Sequence, residues 1–225
     1  TGTEGTDYST ISDITISAGQ TTGTASFTPT DDSVYEGNET GIVAIDSVSG
    51  ADATEDGTQS VTITINENES APTVTLATSA TTIAENAGSS LTLTATLSGT
   101  TDAAITVALD TSGTATEGTD YTDGSGNLDD ITISAGSTTG SINFIRSDDS
   151  VYEGNETATI AISSVSGGSA TESGSQSVTI TISEDESAPT VTLSTSATSI
   201  AENAGSSLTI TATLSTATTA DVTVT

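Results

Sequence analysis

The sequence predicts an all-β protein, a tandem array of immunoglobulin-like antiparallel β-sandwiches, and three observations carry that reading. Apolar residues alternate with Thr or Ser in short runs, Gly, Ser, Asn and Asp separate the runs at intervals of about ten residues, and long segments of the chain occur twice. In chain order the alternating runs include Val61-Thr62-Ile63-Thr64-Ile65, then Leu91-Thr92-Leu93-Thr94-Ala95-Thr96-Leu97, then Ile105-Thr106-Val107-Ala108-Leu109, then Val178-Thr179-Ile180-Thr181-Ile182. A period of two puts alternate side chains on opposite faces of a strand, so each run has one face for a core and one for water. Two such sheets laid face to face share a single core layer, which needs few large side chains. Thr suits the wet face because its branched β-carbon favours extended backbone. No segment has helical periodicity.

The repeat defines the domain organisation. Asp31-Asp32-Ser33-Val34-Tyr35-Glu36-Gly37-Asn38-Glu39-Thr40 returns letter for letter at Asp148 to Thr157, an offset of 117. Glu69 to Leu76 returns at Glu186 to Leu193, and Ala84 to Leu91 at Ala201 to Leu208, with the same offset. Gly5-Thr6-Asp7-Tyr8 returns at Gly118 to Tyr121, 113 residues on, because the second copy carries four extra residues around Asp123-Gly124-Ser125-Gly126, a change that a loop tip tolerates. The repeat has the length of an independent domain rather than of a solenoid unit. The expected division is residues 1–70 as the closing part of one repeat, 71–187 as a complete repeat and 188–225 as the opening part of a third. That frame reads either as a window on a longer chain or as a subunit whose tail completes the head of the next.

Composition excludes several function classes. Of 225 residues, 31 are Asp or Glu and one, Arg146, is basic, for a formal net charge of −30. One cation cannot neutralise a phosphate backbone or hold an anionic membrane surface, which excludes nucleic acid and such a surface as partners, and no stretch approaches the roughly 18 consecutive apolar residues of a membrane-inserted span. With no His, no Cys and no Lys, the chain lacks an imidazole base, a thiolate nucleophile, a Schiff-base amine, the usual zinc ligands and any disulfide. A hydrophobic share of 32% beside that net charge places the chain near the disordered class unless a counter-charge orders it.

The acids gather at loops and strand ends. Glu85 lies in Ile83-Ala84-Glu85-Asn86-Ala87-Gly88, Asp120 precedes Tyr121, Asp148 and Asp149 stand near Glu153, and Glu184-Asp185-Glu186 follows the run from Val178 to Ile182. Any one of these alone reads as a solvated rim. Adjacent pairs and triplets of like charge repel unless a cation sits between them, and a hard cation such as calcium takes six to eight oxygens in irregular geometry.

Gly118-Thr119-Asp120-Tyr121, Ile131 to Gly136, the Asp-Asp-x-x-x-Glu-x-x-Glu core from Asp148 to Glu156, and the strand ending in Glu184-Asp185-Glu186 together resemble the Calx-beta domain, the calcium-binding sandwich module of sodium/calcium exchangers that also occurs in tandem in large bacterial surface proteins. The resemblance covers essentially the whole chain in permuted copies. It implies Ca2+ ligands at Glu85, Asp120, Asp148, Asp149, the Val151 carbonyl, Glu153, Glu184, Asp185 and Glu186. In the first copy it implies Asp7, Asp31, Asp32, the Val34 carbonyl, Glu36, Glu67, Asn68 and Glu69, and Glu202 opens a further set. The family's Asp triplet is here Glu-Asp-Glu or Glu-Asn-Glu, with longer arms and one neutral amide.

The expected function is structural: a calcium-binding repeat segment of an extracellular, secreted or cell-surface bacterial stalk, fibre or adhesin, stiffened by Ca2+ at domain junctions, and not an enzyme. Its expected partners are neighbouring repeats or identical subunits and a cell-surface or matrix ligand. Two alternatives are a head-to-tail filament built by strand complementation and a calcium-dependent module for a glycan or ice. Two Phe and four Tyr offer little platform for sugar, and a twisted sandwich face suits an ice lattice poorly.

Overall fold

The computed structural model describes residues 1–203 and 205–225, and every described element is a strand, turn or loop. Residues 1–70, the head segment, contribute β1 (Val34–Tyr35), β2 (Glu39–Ala44) and β3 (Ser60–Ile65). The middle repeat contains β4 (Thr73–Thr78), β5 (Thr82–Ala84), β6 (Leu91–Leu97), β7 (Thr100–Thr101), β8 (Ile105–Gly113), β9 (Tyr121–Thr122), β10 (Ile131–Ile133), β11 (Thr139–Arg146), β12 (Val151–Tyr152), β13 (Glu156–Ser166), β14 (Thr171–Glu172) and β15 (Ser177–Ser183). The tail segment, 188–225, adds β16 (Val191–Thr195), β17 (Ile210–Leu214) and β18 (Ala217–Thr218). Among the described residues no helix is long and apolar enough to cross a membrane.

The middle repeat is a β-sandwich of two five-stranded sheets, ordered β10-β8-β13-β15-β5 and β14-β4-β6-β11-β9. The period-two runs supply the core as their alternation requires. Along β6 the residues from Leu91 to Leu97 alternate buried and half-buried without exception. Leu93, Ile105, Val107, Ile131, Ile133, Phe144, Ile160 and Ile180 are fully buried between the sheets. Tyr121 stacks on Phe144 with ring centroids 4.7 Å apart, an arrangement that adds to area burial. The head repeats it, Tyr8 on Phe27 at 4.5 Å.

Identical sequence does not give identical structure in the three segments. Ile131-Thr132-Ile133 forms β10 by pairing with β8, whereas Ile14-Thr15-Ile16, in the same hexapeptide, forms no strand and leaves both Ile side chains more than half exposed. The run from Val61 to Ile65 forms β3, but its burial pattern lacks the fully buried positions of β15. The cause is tertiary: alternation stabilises a strand only when a facing sheet and a pairing edge are present.

Adjacent segments join through short parallel pairings. Val34 and Tyr35 of β1 pair with Thr100 and Thr101 of β7, and 117 residues on, Val151 and Tyr152 of β12 pair with Ala217 and Thr218 of β18. A hydroxyl reinforces each pairing: Thr100 Oγ1 donates to the Ser33 carbonyl and Thr216 Oγ1 to the Ser150 carbonyl, both at 3.2 Å.

Truncating a core side chain removes its transfer energy and leaves a cavity, so Ile131→Ala is expected to cost roughly 2–5 kcal/mol in chemical denaturation. Ile14→Ala, in the same hexapeptide, is expected to cost under about 0.5 kcal/mol in dilute solution. Equal losses for the two would contradict the assignment of the core.

Candidate metal centre

The acids of the middle repeat converge at one end of the sandwich because four strands start or stop there. β5 runs parallel to β15 with Ala84 opposite Ser183, so the next residues, Glu85 and Glu184, emerge side by side. The Glu85 amide donates to the Ser183 carbonyl at 2.9 Å and fixes that register. β13 begins at Glu156 opposite Ile182 of β15, which brings Glu156 to the same end. Asp120 is anchored by its neighbour Tyr121, which is in the core, and by a tight turn in which the Thr116 amide donates to Asp120 Oδ2 at 2.6 Å.

Two groups of carboxylates result, each with ligand atoms within 4.8 Å of one another: Glu85 with Glu184, Asp185 and Glu186, and Asp120 with Glu153 and Glu156. The head forms the counterpart of the second from Asp7, Glu36 and Glu39. There Asp7, Asp32, Val34, Glu36, Glu67 and Glu69 line one concavity of about 40 Å³, room enough for an ion with water.

Glu184 has a distinct position within its group. Its Oε2 accepts from the Glu153 and Gly154 amides at 2.6 and 2.7 Å, and its Oε1 accepts from the Asp185 and Glu186 amides at 3.1 and 3.0 Å. Burial opposes its ionisation, but these backbone donors prevail and hold its pKa at about 2. Glu184 is thus a fixed anion that laces the last strand to the β12 loop. Gly154 presents its amide from the left-handed region, φ +81°, which glycine adopts without strain. Glu67 plays the same part in the head: burial opposes its charge, and amide donors from Glu69, Glu36 and Gly37 overcome it, again to about 2.

The neighbouring carboxyls shift the other way. Glu85 is pushed up to about 7, first by burial and then by the charges of Glu184, Glu186, Asp149 and Glu153. Glu156 also rises to about 7, through burial and then the charges of Asp120 and Glu153. Glu186 is raised chiefly by its hydrogen bond with Glu184, and Glu153 and Glu36 chiefly by burial. Such a cluster holds its charge at neutral pH only if a cation replaces the protons. Glu186 Oε2 supports that reading, since it is buried with no hydrogen-bond partner.

Of the other residues named from the sequence, Asp149 accepts the Val151 amide at 2.6 Å and lies near enough to raise Glu85 and Glu153, yet it joins neither carboxylate group. Asp148 lies on the same loop, also outside both groups, and Val151 opens β12 just after it. In the head, Asn68 Nδ2 donates to Asp31 at 3.0 Å, so the neutral amide relieves one charge, and Asn86 does the same for Asp185 at 2.7 Å. Glu202 stands exposed in a turn, in no group among the described residues. Glu39 and Glu156 were not among the expected ligands, although each closes the Asp-Asp-x-x-x-Glu-x-x-Glu core and was visible there. Arg146 makes no ion pair with these acids among the described residues, and its Nε is buried without a partner.

An all-β sandwich with a pole of converging, partly desolvated carboxylates has the all-oxygen donor set that suits a hard cation. The family model of the Calx-beta domain matches residues 1–69 and 67–187, and the chain belongs to the Calx-beta domain family. Calx-beta domains are calcium-binding modules rather than catalytic ones. Among solved structures, the crystal structure of the apo-form Calx CBD1 domain is 21% identical, with a TM-score of 0.42 over 52% of this chain and all of that one. No curated protein matches the chain.

The shifted groups set the pH dependence without metal. For Glu85 and Glu156 the folded pKa lies above the unfolded value, so their contribution is full below the ordinary carboxylate range and is lost as pH rises through about 7. For Glu184 and Glu67 the folded pKa lies below it, so their contribution is full above that range and is lost as pH falls toward about 2. In chelator the melting temperature is therefore expected to peak between roughly pH 4 and 5 and to fall on both sides. A flat profile from pH 5 to 8 would contradict these assignments.

Proposed function

We propose that this chain is a calcium-stiffened structural segment of an extracellular stalk, fibre or adhesin, divided into repeats at 1–70, 71–187 and 188–225. The observation that carries the proposal is the Glu85, Glu184, Asp185, Glu186 group with its orphaned, buried Glu186 oxygen. Calcium bound there supplies the positive charge that the sequence lacks. Glu85, Asp185 and Glu186 are its first ligands, with Glu184 holding the frame and Asp120, Glu153 and Glu156 forming a second position beside it. In the head, Asp7, Glu36 and Glu39 hold the corresponding ion, with Asp31, Asp32, Val34, Glu67, Asn68 and Glu69 around them.

The loop that reaches the ion also reaches the next segment. Val151 and Tyr152 lie between Asp149 and Glu153 and pair with the tail, and Val34 and Tyr35 lie between Asp32 and Glu36 and pair with the middle repeat. Fixing the loop by calcium therefore fixes the joint, and a row of such joints makes a rod. A net charge of −30 supports an extracellular setting in which calcium is abundant. The rod's role is to hold apart whatever is attached at its ends, and no catalytic step is assigned to it.

A ligand that binds only the folded state at a hundredfold excess over its Kd stabilises by about 2.7 kcal/mol, which for a repeat of this size raises the melting temperature by roughly 10 °C. Scanning calorimetry in calcium against chelator is expected to show a rise of that order, and Glu186→Gln is expected to reduce it by the share of the Glu85, Asp185 and Glu186 site while leaving the chelator value nearly unchanged. A melting temperature indifferent to calcium would overturn the proposal.

A further inference from the structure

The first joint brings a carboxylate of the middle repeat against the acidic group of the head. β1 and β7 pair in parallel with Tyr35 opposite Thr101, so the next residue of each, Glu36 and Asp102, leave the pair side by side. The Asp102 amide donates to the Tyr35 carbonyl at 3.4 Å and holds that register. The backbone before Asp102 is fixed within the middle repeat: Thr101 is fully buried, its carbonyl accepts the Gly136 amide at 2.8 Å, and its hydroxyl accepts the Ala103 amide at 3.3 Å. Glu36 belongs with Asp7 and Glu39 to the carboxylate group of the head. Burial and then Asp7 raise the pKa of both Glu36 and Glu39, and a further rise in each comes from Asp102, a residue of the next repeat.

The second joint has the same pairing without that charge. Tyr152 stands opposite Thr218, so the residue that follows beside Glu153 is Thr219, the counterpart of Asp102 at an offset of 117. Burial raises Glu153 and Glu156 first, and the charges that add to it, Asp120, Asp149, Glu153 and Glu184, all belong to the middle repeat. Asp221, the nearest acid in sequence, occupies the position of Ala104. The strand that meets Glu153 therefore sets a hydroxyl where the strand that meets Glu36 sets a carboxylate.

We propose that Asp102 makes the first joint a charge-gated one: its repulsion from Glu36 and Glu39 opens the β1–β7 pairing, positive charge at the acidic group of the head closes it, and the second joint has no such gate. Only two residue pairs hold each joint, so a repulsion between neighbouring carboxylates is of the same order as the pairing it opposes. Resting on the calcium reading above, an ion among Asp7, Glu36 and Glu39 draws Asp102 in rather than driving it away. When calcium falls, the first joint loosens beyond the loss of loop order that both joints share, and the two joints of one array differ in stiffness by a single side chain.

Distance measurement by electron paramagnetic resonance on the whole chain tests this. The chain has no Cys, so spin labels at Thr58→Cys and Thr132→Cys report on the first joint and labels at Thr132→Cys and Thr211→Cys on the second, all at exposed positions. In chelator near 10 mM salt, charges act over about 30 Å. Under those conditions Asp102→Asn is expected to narrow the distance distribution at the first joint, with a roughly two- to fivefold fall in the ratio of open to closed joints, the size of one exposed charge contact. Salt near 1 M is expected to do the same to the unsubstituted chain, and calcium to remove the difference between the two. Thr219→Asp is expected to broaden the second joint in chelator and to leave the first as it is. A first joint indifferent to Asp102→Asn in chelator, or a second joint indifferent to Thr219→Asp, would overturn the proposal. If calcium narrows neither joint while Asp102→Asn and salt still narrow the first, the gate stands and the calcium reading falls.

Discussion

The structure depends on one electrostatic constraint: strands that must meet to close the sandwich all deliver carboxylates to the same end. The parallel register of β5 on β15 forces Glu85 beside Glu184, and the antiparallel register of β13 on β15 brings Glu156 to them. The fold cannot form its core without concentrating this charge. Part of the repulsion is relieved internally, by four amides on Glu184 and by the Asn86 side chain on Asp185. Glu85, Glu156 and Glu186 have no such relief, and protons or a cation must supply it.

That constraint links the site to the architecture along the chain. The segment from Asp148 to Glu156 contributes acids to the pole, amides to Glu184, and, through Val151 and Tyr152, the strand that pairs with the next segment. Ordering at the pole is thus transmitted over two residues to the joint, with no separate relay needed. The same arrangement recurs from Asp31 to Glu39, so each added repeat adds one pole and one joint of the same design.

Much of this was legible in the sequence because it is local or repeated. Period two in Leu91 to Leu97 gave the strand and its buried face, and the offset of 117 set which residues of β2–β3 correspond to those of β13–β15. Adjacent acids marked the loops of the pole. What the sequence did not show is set by partners distant in the chain. Nothing in Ile14 to Gly19 distinguishes it from Ile131 to Gly136, yet only the second finds β8 to pair with. The acidic triplet gives no hint that Glu184 spends its oxygens on backbone amides while Glu186 keeps one free, since that depends on where the Gly154 loop passes. Glu156 and Glu39 were visible as the last letters of a motif, and their approach to Asp120 and Asp7 followed only from strand register.

The central claim is that calcium takes the place of protons at the pole. Calorimetric titration with calcium at pH 7, repeated in two buffers of different ionisation enthalpy, measures binding and proton release together. Saturable binding to the intact chain with net release of protons is expected, because burial and neighbouring charges hold Glu85 and Glu156 at a pKa of about 7, together with loss of the Glu85, Asp185 and Glu186 position in Glu186→Gln. Absence of binding, or binding whose heat is the same in both buffers, would contradict it.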